Sequence, residues 1–181
     1  MFYALIVLAA ASRLLPHPIN VAPIGALGLF AGAYLNRRGA WAAPLLALLV
    51  SDALLGFYHP LLMAFVYGGF AVGGLLGRRF LHERRTPVRL GLCALAGSAA
   101  FFLLSNFGVW VCGGCLGTGL YPHTWSGLVT CYAMALPFFR NTVLGDLFYT
   151  AALFGGYEAA QQWAARRRAL QALCPHKETA P

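Results

Sequence analysis

From Phe2 to about Trp163 the chain passes through long apolar stretches separated only by short Arg-rich or Pro/Gly/Asn-rich punctuation. The stretches run over residues 2–15, 22–35, 40–58, 61–77, 90–111 and, after an interruption, to about residue 163. Backbone N–H and C=O groups find no partner in hydrocarbon, so segments of this kind fold as helices, not as open strands. A spanning helix needs about 20 mostly apolar residues, which limits the chain to roughly seven spans. Only 10% of the residues are charged, against roughly 25% in a soluble domain, and this rules out a water-soluble globule. The expectation is an all-α membrane protein. Its single helical domain covers residues 1–163, followed by a basic cytoplasmic tail over 164–181 whose first part prolongs the last helix. The first two stretches give only about 20 Å of helix each, against a hydrocarbon core of about 30 Å. They are expected inside the bundle, with protein covering their ends.

The last stretch sets the number of spans. Ser126 to Trp163 would make roughly 55 Å of helix, and Pro137 in its interior is expected to break or kink it. Either a short outer helix leads into one span, or two separate spans bring the total to seven. Charge selects between them. Of the 13 Lys and Arg residues, all but Arg13 and Arg140 fall in three places: Arg37 and Arg38; Arg78, Arg79, Arg84, Arg85 and Arg89; and Arg166, Arg167, Arg168 and Lys177. Six spans with both termini in the cytoplasm put these clusters on one side, whereas seven spans violate the positive-inside rule. The net charge of +8 is therefore a topology signal, and no nucleic-acid partner is expected. Ala9, Ala10 and Ala11 resemble a signal-cleavage region, but no Lys or Arg precedes them, as a signal peptide would require.

In this topology the outer connections hold His17, Asn20, Tyr58, His59, Tyr121, His123, Thr124 and Trp125, while the inner ones are mostly arginine. Interfacial aromatic belts account for part of the Tyr and Trp, but not for the one-sided distribution of His and Asn. Arg13, Asp52, Arg140 and Asp146 lie within apolar segments, where charges are costly and face a bundle interior or a wet cavity. They form either two Arg/Asp pairs that pin helices together or a polar lining beneath an outward cavity, and one pair could serve as its floor. Asn106, Asn141, Tyr67, Trp110 and Tyr149 lie at heights that allow them to join it. Cys112 and Cys115 make a Cys-x-x-Cys whose readings are a disulfide, a metal contact or unpaired packing. Small residues four apart, such as Gly28 with Gly32, Gly69 with Gly73 and Gly73 with Gly77, suit close helix packing within the monomer or docking of another membrane protein.

Four motifs carry a family likeness: Arg13-Leu-Leu-Pro-His-Pro-Ile-Asn20 running into Ala22-Pro-Ile-Gly-Ala-Leu, Ser51-Asp52-Ala-Leu-Leu-Gly56, Ser105-Asn-Phe-Gly-Val-Trp110 and Pro137-Phe-Phe-Arg-Asn-Thr-Val-Leu-Gly-Asp146. With the helix arrangement, they make the chain resemble the substrate-binding S component of energy-coupling-factor (ECF) transporters, closest to an uncharacterised family of small transport-type proteins related to them. The resemblance implies a six-helix bundle in the inner (plasma) membrane of a prokaryote. It also implies uptake of a vitamin-like or metal-containing micronutrient, driven by an ECF coupling subunit with two ATPases. The first helix has Ala4, Ala9, Ala10 and Ala11 but lacks the Ala-x-x-x-Ala spacing through which S components meet that subunit, so a solitary transporter is the other reading. The chain has no phosphate-binding Gly-x-x-x-x-Gly-Lys-Ser/Thr loop of its own. The expected ligand set is Arg13, His17, Asn20, Asp52, Tyr58, His59, Tyr67, Asn106, Trp110, Tyr121, His123, Trp125, Arg140, Asn141 and Asp146. No catalytic residue, resident metal or cofactor is expected. Competing functions are a thiol-disulfide oxidoreductase using Cys112 and Cys115, and a membrane assembly protein whose charges merely pair.

Overall fold

A computed structural model describes residues 2–16, 18, 20–35, 37–113 and 120–173. Regular structure among these is entirely helical: α1 (Phe2–Ser12), α2 (Ile24–Tyr34), α3 (Arg37–Leu55), α4 (Pro60–Leu76), α5 (Pro87–Cys112) and α6 (Trp125–Leu173). A π-helical turn, Gly77–Leu81, carries α4 onward. The starts are chemically marked. Pro60 and Pro87 occupy first-turn positions where a missing N–H costs nothing. Thr86 and Thr124 accept side-chain capping bonds from the N–H groups of Arg89 and Gly127.

Stretches within α3, within α4 and its π turn, and within α5 are long and apolar enough to cross a membrane. Their outer faces present large apolar side chains, among them Leu49, Leu54, Leu92, Leu103 and Phe107, while the residues these helices bury are mostly small, such as Ala40, Ala43, Gly69, Gly73, Ala94 and Ser98. That inside-out distribution suits lipid contact and not water.

Helix α2 is the axis of the bundle and touches every other helix. Nine of its eleven residues are buried, the all-round burial expected of a short, uniformly apolar helix. Gly28 and Gly32 face the backbone of α4 and its π turn, Gly74 faces Ala40, and Gly77 faces Leu29. The small-residue spacing is thus used inside the monomer, where it lets backbones touch. At the C-terminal end of α2, Arg78 donates to the Leu35 carbonyl and Arg85 to that of Ala33, which His82 Nδ1 also approaches at 3.1 Å. Some of the clustered arginines therefore satisfy carbonyls at the end of the central helix.

Helix α6 runs unbroken through Pro137 for 49 residues, about 74 Å. The expected break does not occur. Proline removes one internal hydrogen bond, but packing against α5 holds the helix on both sides of it. Tyr132 donates to the Leu103 carbonyl, Phe139 stacks 4.7 Å from Phe102, and Ser98 binds Asp146. The C-terminal part of α6 continues to Leu173, beyond residue 163 where the apolar pattern stops.

Candidate functional site

The α1–α2 and α3–α4 connections lie at the end of the bundle opposite the arginine clusters, and each contains a left-handed residue. Asn20 has φ 65° and Gly56 has φ 102°, conformations that Asn and Gly adopt most readily. These turns rim a cavity of about 570 Å³, lined by Arg13, Asn20, Tyr58, Thr142 and Asp146 among apolar residues that include Ile24, Phe70 and Phe101. The volume lies within the ordinary range of small-molecule sites, roughly 300–1,000 Å³. Helices α3 and α6 both contribute lining residues but do not touch each other among the described residues, while α2 packs against both.

On the α1/α3 side, Arg13 Nη1 lies 2.6 Å from Asp52 Oδ1 and 2.5 Å from Ser51 Oγ. Tyr67 donates to Asp52 Oδ2 at 2.9 Å. The Ser51 hydroxyl donates back to the carbonyls of Ala47 and Leu48, so its lone pairs face the guanidinium. Asp52 is 1% exposed, and a buried carboxylate of this kind requires such a set of partners. Burial, then the nearby Asp52 carboxylate, pushes the Tyr58 phenol up to about 12, which keeps it a neutral hydrogen-bond donor. His59 follows, half-buried, and its Nδ1 has no hydrogen-bond partner among the described residues.

On the α5/α6 side, Ser98 Oγ donates to Asp146 Oδ2 at 2.6 Å, and Asp146 is 5% exposed. Gly25, in the first turn of α2, lies directly against that carboxylate; a Cβ there would overlap it. The obstacle is a movable side chain, so Gly25→Ala is expected to leave the bundle folded while displacing Asp146. It should lower the apparent melting temperature in detergent by only a few degrees, yet weaken binding of any ligand that touches Asp146 by about tenfold.

The expected ligand set divides into separate groups. Arg13, Asn20, Tyr58 and Asp146 line the cavity, and Asp52 and Tyr67 stand directly behind Arg13. Trp110 near the end of α5, Tyr121 and His123 in the following connection, and Trp125 at the start of α6 instead lie around the α5–α6 junction. Trp110 Nε1 donates to the Pro122 carbonyl at 3.0 Å, and His123 Nε2 donates to the Trp110 carbonyl at 2.9 Å. Tyr121 is half-buried and Trp125 exposed. Asn106 bonds the Phe102 carbonyl of its own helix, and Asn141 is half-buried on α6.

Arg140 is exposed on α6 and does not pair with Asp146, whose hydrogen-bond donor is Ser98. Six residues of α-helix turn a side chain through about 240°, which places the two on different faces. His17 and Cys115 lie outside the described residues, and Cys112 is buried at the end of α5. Sequence reasoning missed Ser98, Thr142 and Gly25. Ser98 was visible only as a hydroxyl in an apolar helix, Gly25 only as a small residue in the first motif and Thr142 only as a member of the fourth.

The profile of a family described as "Family of unknown function (DUF6580)" matches residues 1–170. Comparison with curated proteins and with solved structures gave no match.

Proposed function

We propose that the chain, which belongs to the DUF6580 family of unknown function, is an integral membrane transport protein. It binds a small micronutrient at the bundle end opposite the arginine clusters and mediates its uptake, with an ATP-driven coupling module as energising partner. The observation that carries this reading is the ligand-sized cavity, where Arg13, Asn20, Tyr58, Thr142 and Asp146 converge on an apolar wall. A structural pin would need no such space, because paired charges hold helices best when packed. The positive-inside rule turns the cavity toward the outer medium, and the likeness of the four motifs to ECF S components points to capture followed by translocation.

Two measurements test the reading. Protein purified gently in detergent should carry a small molecule identifiable by mass spectrometry. Adding that molecule back at about 100 times its Kd should stabilise the fold by about 2.7 kcal/mol. A cysteine placed at Asn20 should react with a membrane-impermeant maleimide in intact cells. Reaction only after lysis would turn the cavity to the wrong side and remove the uptake reading.

A further inference from the structure

The charge balance of the cavity bears on what enters it. Arg13 and Asp52 cancel each other, and Tyr58 and Tyr67 are neutral. Asp146 is left over. Its carboxylate is 5% exposed and lines the cavity, with Ser98 as its hydrogen-bond donor. Among the described residues no Lys, Arg or His pairs with it. The first turn of α2 lies against it at Gly25, and that helix end offsets only about half an elementary charge. A desolvated carboxylate without a counter-charge is costly. Beside it, the rings of Phe70 and Phe101 stand 4.3 Å apart and line the same cavity.

We propose that the cavity takes a small organic cation, with its charged centre against Asp146 and its apolar body against Phe70 and Phe101. The proposal rests on the uptake reading and narrows its ligand class. An entering cation removes the cost of the lone carboxylate, and Phe70 and Phe101 give its apolar body a hydrophobic wall. An anion would meet Asp146 and find the Arg13 guanidinium already engaged with Asp52.

The test uses the full chain in detergent and three probes of similar size: benzyltrimethylammonium, neutral N,N-dimethylbenzamide and anionic phenylacetate. Benzyltrimethylammonium is expected to bind about tenfold more tightly than the amide, and phenylacetate to show no saturable binding. Asp146→Asn should lose about tenfold in affinity for the cation and little for the amide. Bulk attraction to a chain of net charge +8 favours the anion, so preference for the cation reports the site. If the Asp146→Asn variant does not fold, the order of the three probes on the unaltered chain decides alone. Equal affinity for cation and amide, preference for phenylacetate, an unchanged Asp146→Asn variant or no saturable binding of any probe would each overturn the proposal. The uptake reading is judged separately, by the co-purified molecule and the sidedness of Asn20.

Discussion

Arg13→Ala is expected to destabilise the bundle by about 3–5 kcal/mol, because it strands a buried carboxylate instead of merely deleting a contact. Asp52 is 1% exposed and among the described residues would keep only the Tyr67 hydroxyl at Oδ2, while Ser51 would lose the guanidinium that its lone pairs face. The measurement is the apparent melting temperature of detergent-purified protein. Pairing the change with Asp52→Asn supplies the control, since removing both charges should recover a large part of the loss. An Arg13→Ala protein that melts with the parent would show that the pair does not hold α1 against α3.

The second large effect concerns backbone contact. Gly77→Ala would place a methyl group on the carbonyl of Leu29, and the obstacle is the main chain of the central helix, which no rotamer change relieves. A loss of about 3 kcal/mol is expected, at the upper end of the usual overpacking cost. Gly91→Ala, in open space on α5, is the matched control and should be neutral or stabilising by up to about 1 kcal/mol through helix propensity. Equal melting temperatures for the two variants would dismiss close α2–α4 packing as the organising contact of the bundle.

The contrast between these glycines shows where reading the sequence stops. Small-residue spacing announced that some backbones approach closely, and the glycines of α2 and α4 do so. The same residue type at Gly91 has no neighbour, and nothing in its local sequence says so. The intramembrane charges behave similarly. Arg13, Asp52, Arg140 and Asp146 were recognisable as costly charges in need of partners, but not which would pair, and Arg13 meets Asp52. The other two, Arg140 and Asp146, lie six residues apart on one helix, and helical rotation sends Arg140 outward and leaves Asp146 to Ser98. Pro137 misled because local chemistry predicts a break, while packing on either side of the proline keeps α6 continuous.

The amino-acid order by itself determined an all-helical fold with apolar helices, the approximate extents of the first five and the crowding of arginine into three clusters. Those properties follow from the hydrophobicity, charge and backbone hydrogen bonding of contiguous residues. Only the tertiary structure decided that α2 is the buried axis, that α3 and α6 both line a cavity without touching each other among the described residues, and that Asp146 faces it beside Gly25. Such features depend on which faces of distant helices meet, and that is fixed by packing among all of them together, so no single stretch of chain contains the answer.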